Sequence, residues 1–196
     1  MAKATRPYRQ VARAASTEET RSRVVAAFDA AMQDRPMDDI TLDQIARAAG
    51  TTRQTVIRLF GGKEGLVEAF VEHFAQGVKR RRVMPANAQP RSVTAALFED
   101  YEEIGDFVIR MLAQEERHPV LSLWHNIGRA THRAWIASSF AAHLPPEPDA
   151  RDAMVTQLVI AGDVYTWKLL RRDMQLSVTA AQSIMTSMFS KLLKKG

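Results

Sequence analysis

Hydrogen-bonding side chains are concentrated in one short stretch of this chain, residues 51–58 (TTRQTVIR). Arg53 and Gln54 are residue types that make paired hydrogen bonds to the edges of guanine and adenine, and the methyl group of Thr55 suits that of thymine. If these residues begin a helix, the partial positive charge at its N-terminus also favours phosphate groups. The stretch therefore predicts contact with double-stranded DNA.

Two short helices are predicted to position these side chains. Thr41 followed by Gln44 fits a capping box, in which each side chain binds the backbone of the other residue, so the first helix begins at residue 41. Either Thr51 or Thr52 caps the second helix, since threonine at this position accepts a hydrogen bond from a free backbone N–H. The sequence leaves that choice open.

Three small or branched residues favour a tight crossing of the two helices. Ala46 has a short side chain where the second helix must pass close by, and Val56 points a branched apolar group into the angle between them. Gly50 stands at the turn, where a left-handed backbone conformation carries little penalty for glycine. This layout is that of a helix-turn-helix motif.

The stretch from Thr41 to Leu66 resembles the DNA-binding domain of the TetR family of bacterial transcription regulators. The residues that carry the resemblance are Thr41, Leu42, Ile45, Ala46, Ala49, Gly50, Thr52, Thr55 and the run FGGKEGL at 60–66. Family members usually have Tyr and His where this chain has Ile57 and Leu59. The usual tyrosine often contacts a phosphate, which Ile57 cannot do, so we leave Ile57 out of the predicted site; we expect Leu59 to pack.

The predicted DNA site divides by role. Arg53, Gln54 and Thr55 are expected to contact base edges, because they stand in the first turn of the second helix. The residues expected to contact phosphates are Thr41, Thr52, Arg58 and Lys63.

The distribution of charge supports this prediction. Residues 1–82 contain 15 Lys and Arg against 10 Asp and Glu, whereas residues 83–196 contain 12 of each. The whole net charge of +5 therefore lies in the part that carries the helix-turn-helix. A basic region of this kind favours the phosphate backbone of a nucleic acid.

Composition sets the broad class. The chain has 196 residues, 46% of them hydrophobic and 25% charged, which is typical of one globular domain or two small ones. It has no cysteine, so disulfides and thiol chemistry are excluded. The basic N-terminus is not followed by an apolar segment, and no apolar run approaches the roughly 18 residues that would span a bilayer. We expect a soluble, cytoplasmic protein that has no membrane partner.

No catalytic or metal-binding pattern stands out. His118, His125 and His132 recur every seven residues, which on a helix separates neighbours by roughly 10 Å, too far for one metal ion. The run Gly61-Gly62-Lys63 is followed by Glu64 and lacks a preceding strand, so it is not a phosphate-binding loop. We expect no catalytic residues, no metal and no cofactor, and therefore no enzyme activity.

The fold class predicted for the whole chain is all-α, with an N-terminal three-helix DNA-binding domain and a C-terminal helical domain. The predicted segments are a flexible basic arm at 1–15, the helix-turn-helix domain at 16–62, a connecting helix at 63–82 and the C-terminal domain at 91–196. In the C-terminal domain we expect helices over about 92–117, with a kink near Gly105, and over 119–144, 149–172 and 177–194.

The resemblance implies two roles for the C-terminal domain. In the family, the last two helices usually pair with those of a twin to form a homodimer, and the helices before them enclose a small-molecule site. Apolar residues of 149–172 and 177–194, among them Leu158, Tyr165, Ile184 and Phe189, supply either this dimer face or the core of the chain itself. The candidates for the ligand site are Phe98, Tyr101, Phe107, Met111, Trp124, Trp135 and Trp167, although aromatic residues at helical spacing are more often plain core.

The function that we predict is a sequence-specific regulator of transcription. It is expected to bind a palindromic operator as a homodimer, and a small-molecule effector is expected to release it. Two alternatives stay open: a DNA-binding regulator or architectural protein without an effector, and a basic helical module that binds an acidic partner.

Overall fold

A computed structural model describes residues 6–82, 84 and 88–194, with the side chains of 6–13 excepted. The α-helices of this part are α1 (Arg6–Asp34), α2 (Leu42–Ala48), α3 (Arg53–Phe60), α4 (Lys63–Arg81), α5 (Pro90–Leu112), α6 (Pro119–Ser139), α7 (Pro148–Ala161), α8 (Val164–Lys168) and α9 (Val178–Leu192). Within these residues there is no β-strand, which confirms the predicted all-α class. None of the helices described is long and apolar enough to cross a membrane.

The chain divides into two compact units, Met1–Phe74 and Ala75–Gly196. The division falls inside α4, the helix predicted to connect the two domains. The boundary in the backbone is therefore a helix rather than a loop, since α4 continues without a break to Arg81.

The first unit packs α1, α2, α3 and the first turns of α4 around an apolar core. Val24, Phe28 and Met32 of α1 are buried, together with Ile45 of α2 and Val56 of α3. Phe28 meets Phe70 of α4 edge to face, with ring centroids 5.6 Å apart. This is the three-helix domain that the sequence predicts, with α4 closing its core.

The start of α1 differs from the prediction. We expected a helix from Ser16, after a flexible basic arm at 1–15, whereas α1 begins at Arg6. The arm lacks apolar periodicity, but its alanines, arginines and Gln10 are good helix formers, and a helix needs no apolar stripe once it extends one that is already nucleated. Residues 1–5 lie outside the described residues.

The caps of the helix-turn-helix are as predicted. The side chain of Thr41 accepts a hydrogen bond from the backbone N–H of Gln44 while the Gln44 side chain accepts one from the N–H of Thr41. Thr52, rather than Thr51, caps α3 through the N–H of Thr55. Gly50 adopts a φ of 64°, the left-handed conformation expected at the turn. These local features hold α2 and α3 at their crossing.

In the second unit, α5 packs against α8 and α9, and α6 packs against α5 and α7. The kink expected near Gly105 is absent, because α5 runs unbroken from Pro90 to Leu112. Gly105 instead allows close packing: a Cβ there would stand 2.5 Å from Cζ3 of Trp167, which is fully buried. Gly105 therefore marks close packing against Trp167 and not a bend in α5.

The segment expected as one helix over 149–172 is divided. Gly162 ends α7 and Asp163 caps α8 by accepting a hydrogen bond from the N–H of Tyr165 at 2.8 Å. A π-helical turn over Leu169–Asp173 then follows α8. A Cβ at Gly162 would stand 2.9 Å from Cζ of Phe189, so close packing against α9 explains why this residue is glycine.

Candidate nucleic-acid interface

The first turns of α3 present a polar surface. Thr52, Arg53, Gln54 and Arg58 are exposed, and Thr55 is half-buried. On the opposite side of the helix Val56 and Phe60 are buried. Because burial of these two residues fixes the rotation of α3 about its axis, the polar side chains predicted to contact base edges share the outward side.

Several of the predicted contact residues already have partners within the protein. Nε of Arg53 lies 3.9 Å from Oδ2 of Asp43 on α2, and both side chains are largely exposed. The hydroxyl groups of Thr52 and Thr55 are 3.0 Å apart. The Arg53 contact is a long, solvated ion pair, which contributes little to stability and is readily exchanged for another partner.

Among the residues predicted to contact phosphates, Lys63 is the most constrained by contacts within the protein. It stands in the first turn of α4, half-buried, and its ammonium group donates a hydrogen bond to the carbonyl of Met37. Burial lowers its pKa from the ordinary value, an effect opposed by the nearby Asp38 and Asp39. To contact a phosphate from this position, the side chain would have to leave the Met37 carbonyl.

Two arginines of α1 that the sequence analysis did not identify support the helix-turn-helix. Nε of Arg23 donates to the carbonyl of Ala49 at 3.2 Å, and Nη1 of Arg21 donates to the carbonyl of Leu59 at 3.0 Å. These carbonyls lie at the C-terminal ends of α2 and α3, where free acceptors and the helix dipole favour a cation. The only signal in the sequence was their place on a predicted helix that packs behind the motif.

Ile57 is 41% exposed on α3. It occupies the position at which family members usually carry the phosphate-contacting tyrosine. An exposed isoleucine among polar neighbours is consistent with leaving it out of the hydrogen-bonding site. Leu59, which we expected to pack, is half-buried.

The residues predicted to line a ligand site lie in the second unit, and most are buried. Phe98, Phe107, Met111 and Trp167 are at most 2% exposed. The hydroxyl group of Tyr101 donates a hydrogen bond to the carbonyl of Gly162 at 3.0 Å. The indole N–H groups of Trp135 and Trp167 donate to the carbonyl of Arg82 and to Glu102. These residues act as core side chains in this state.

A buried ionic cluster in the same unit was not predicted. Asp100 is completely buried on α5, and its two oxygens accept hydrogen bonds from Nε of Arg81 at 2.7 Å and from Nε of Arg82 at 2.8 Å. Nη1 of Arg82 is 3.0 Å from Nδ1 of His132 on α6. Burial and the neighbouring Arg82 lower the pKa of His132 to about 3. Asp100 was not identified from the sequence as the partner of these two arginines.

A second polar cluster lies near the start of α6. Glu115 forms a bidentate ion pair with Arg129, and its Oε2 is 3.2 Å from Nδ1 of the buried His125. The hydrogen bonds from Arg129 hold the pKa of Glu115 below its usual range, while burial lowers that of His125. Across the residues that the structure describes, no group of three or more His, Cys, Asp or Glu side chains is placed to hold a metal ion.

Only part of the predicted dimer face is available on the surface. Leu158 and Phe189 are completely buried in the core of their own unit. Tyr165 and Ile184 are exposed, at 55% and 40%. Large apolar side chains that we did not single out are also exposed here: Ile160, Leu169, Met174 and Val178.

Comparisons with known proteins agree on one family. Residues 25–70 match the family model for bacterial regulatory proteins of the TetR family. A TetR-family transcriptional regulator from Streptomyces coelicolor is similar in structure, with a TM-score of 0.67 and 21% identity over 89% of this chain and 80% of that one. A putative TetR-family regulator from Rhodococcus sp. has a TM-score of 0.70 and 14% identity over 90% of this chain and 100% of its own. No curated protein matches the sequence closely enough to be significant.

Proposed function

Because this chain belongs to the TetR family of DNA-binding transcriptional regulators, we propose that it is a repressor that a small-molecule effector releases from a palindromic operator. The observation that carries the proposal is the outward polar side of α3, where Arg53, Gln54 and Arg58 are exposed above a buried apolar side.

Within this proposal, the two kinds of DNA contact come from different residues. Arg53, Gln54 and Thr55 stand at the N-terminal end of α3, the end that enters the major groove in helix-turn-helix proteins. Thr41, Thr52, Arg58 and Lys63 contact phosphates on either side. Base-edge contacts specify the sequence, whereas phosphate contacts set the position and the salt dependence of binding.

The direct test is selection of bound duplexes from a random DNA pool at physiological salt with excess nonspecific competitor. We expect enrichment of an inverted repeat. Loss of all binding as salt rises, with no enriched sequence, would instead support an architectural role or a basic interaction module.

Two substitutions separate the roles. Gln54→Ala should cost about 1–3 kcal/mol of binding at particular base pairs, and the enriched sequence should become degenerate there. Lys63→Ala should weaken binding to all sequences alike and reduce the salt slope by about 1. Gln157→Ala, an exposed glutamine of α7, is the matched control. An equal loss on every sequence from Gln54→Ala would contradict its role.

The homodimer is supported by the apolar side chains exposed on the last helices. Ile160 is 61% exposed and Tyr165 55%, and Leu169 and Ile184 add to the same group of helices. Large exposed apolar groups of this kind mark interaction surfaces, and two half-sites of a palindrome need two copies of one reader. Sedimentation should give a dimer that Ile160→Glu with Ile184→Glu converts to monomer. Leu123→Glu, on α6, should leave it intact.

Release by an effector requires that the effector bind the non-operator state more tightly than the operator-bound state. The second unit supports this role because it keeps polar groups inside a helical core. The test is a reporter gene under the selected operator, together with binding assays at increasing effector. A protein that represses but never responds to any small molecule would support the alternative without an effector.

A further inference from the structure

Among the residues that the structure describes, Ile57 is the one large apolar side chain of the first unit that is exposed. The other exposed side chains of this kind all belong to the second unit. Val56 and Phe60 of the same helix lie in the core. Core packing therefore does not account for Ile57, and neither does helix formation, because a β-branched residue forms a helix less readily than alanine or leucine.

Ile57 stands beside the two side chains predicted to contact purine edges. It follows Gln54 by three residues and Arg53 by four within α3. Residues at these spacings are neighbours on the surface of an α-helix, with Cβ atoms about 5–6 Å apart. Base pairs in DNA rise about 3.4 Å per step. When Gln54 or Arg53 contacts a base edge, Ile57 therefore comes over a base pair one or two steps away.

An isoleucine in this place can make only one kind of favourable base contact. Its side chain has no hydrogen-bonding group, and the apolar group that a base pair presents in the major groove is the 5-methyl group of thymine. Packing of Ile57 against that methyl group removes apolar area of both molecules from water. Over the amino group of cytosine or adenine, the same side chain would leave a hydrogen-bond donor without a partner, which is unfavourable. The chemistry of the side chain therefore favours thymine.

Thr55 carries the other methyl group that is predicted to contact thymine, but it stands on a different side of α3. Residues two positions apart do not face each other on a helix. Thr55 is also half-buried, and its hydroxyl group is 3.0 Å from that of Thr52. Contacts made by Ile57 and by Thr55 therefore fall on different base pairs and can be measured separately.

We propose that Ile57 is a specificity-determining residue of the operator complex, and that its side chain packs against the 5-methyl group of a thymine beside the base pairs contacted by Arg53 and Gln54. The inference rests on the proposed function, since it requires a sequence-specific operator. It gives the recognition helix an apolar contact in addition to its hydrogen bonds, at the position where family members usually carry a phosphate-contacting tyrosine.

Replacement of thymine by deoxyuridine tests the contact, because it removes the 5-methyl group and leaves the hydrogen-bonding groups of the base unchanged. Each thymine of the selected operator is replaced in turn, at equivalent places in the two half-sites, and the affinity of the full-length protein is measured. We expect one thymine per half-site whose replacement weakens binding about fourfold for each half-site, as for one buried methyl group. In Ile57→Ala the same replacement should have no effect.

Three variants assign the effect to the side chain of Ile57. Ile57→Val keeps a branched apolar group and should retain most of the deoxyuridine effect. Thr55→Ser removes the methyl group of Thr55 and should leave the effect at this thymine unchanged, whatever it does to overall affinity. Leu123→Ala truncates an exposed apolar residue of α6 and is the matched control. Loss of the effect in Thr55→Ser, or its persistence in Ile57→Ala, would overturn the proposal.

A second selection from the random pool provides a readout that does not use modified bases. Ile57→Ala should enrich the same inverted repeat as the wild-type protein, with the preference for thymine lost at one position of each half-site. Because Ile57 is exposed, the melting temperature of Ile57→Ala should stay close to that of the wild-type protein, which excludes misfolding as the cause. An unchanged preference at every position would contradict the role of Ile57.

The two selections separate this inference from the proposed function. If the wild-type protein enriches no sequence, the proposed function is wrong and the inference falls with it. If it enriches an operator in which no thymine depends on Ile57, or in which the half-sites contain no thymine, the proposed function stands and only the inference is wrong.

Discussion

The two units of the chain differ in whether polar residues are buried in their cores. In the first unit, every buried residue that the structure describes is hydrophobic, and the arginines and threonines lie at the surface or bind helix ends. The buried polar residues of the described chain, Thr94, Asp100, His125 and Ser139, all belong to the second unit. The core of the first unit is therefore apolar, and its polar side chains lie outside that core.

The difference predicts different responses to the environment. An apolar core changes little with pH or with a polar ligand, whereas buried ionisable groups make stability depend on both. The stability of the second unit should therefore depend more strongly on pH and on polar ligands than that of the first unit.

The largest effect should come from Asp100. Replacing Asp100 by Ala removes the carboxylate that binds Arg81 and Arg82 and leaves the largely buried guanidinium of Arg82 without its counter-charge. Breaking a buried pair in this way costs about 3–5 kcal/mol of unfolding free energy, measurable by urea denaturation. Asp106, whose pair with Arg172 is 2.8 Å long but largely exposed, provides the control. Asp106→Ala should cost less than about 1 kcal/mol of unfolding free energy. Equal losses from the two substitutions would show that burial does not make the Asp100 ion pairs more important for stability.

The pH dependence of stability should trace to His132. Its folded-state pKa of about 3 lies below the ordinary value of 6.5, so the unfolded chain binds the extra proton and stability falls as pH drops below 6.5. The loss contributed by this group is about 1.4 kcal/mol for each pH unit between the two values. Unfolding curves at several pH values should show a shallower slope in His132→Phe. An unchanged slope would assign the dependence to other groups.

Two capping residues allow a direct comparison of the units. Thr52 caps α3 and Ser177 caps α9, each by accepting a hydrogen bond from a backbone N–H at 3.2 Å. Replacing either by Ala should cost about 1 kcal/mol of stability. Only Thr52→Ala should also weaken operator binding, since only this cap stands beside the predicted base contacts. A similar loss of operator affinity from Ser177→Ala would show that the cap effect is not local.

An effect on stability as small as that of the caps is expected at the turn of the helix-turn-helix. Gly50 has a φ of 64° and no atom near the position of a Cβ. Gly50→Ala should therefore cost about 1 kcal/mol through backbone strain alone, without a clash. Thermal denaturation measures it. A cost of several kcal/mol would mean that the turn must rearrange around the new methyl group.

Local features explain how much of the fold was predictable. The capping box of Thr41, the left-handed Gly50 and the apolar spacing of the recognition helix involve residues within a few positions of one another. The same is true of the exposed residues of α3, because the burial of Val56 determines which side chains face outward. Glycines were harder to interpret: Gly105 predicted a kink and instead lies against Trp167.

Residue spacing and composition are enough to predict the helix-turn-helix, the all-α class and the concentration of basic charge in residues 1–82, because each depends on neighbours a few positions apart or on residue counts. The packing of the helices determines which of the second unit's aromatic residues are core, and it brings Asp100 to Arg81 and Arg82 and His132 to Arg82. The residues in those contacts are 18 to 50 positions apart in the chain. Helical periodicity states that a residue faces inward but not which residue it meets, so partners at such distances follow only from how the helices pack.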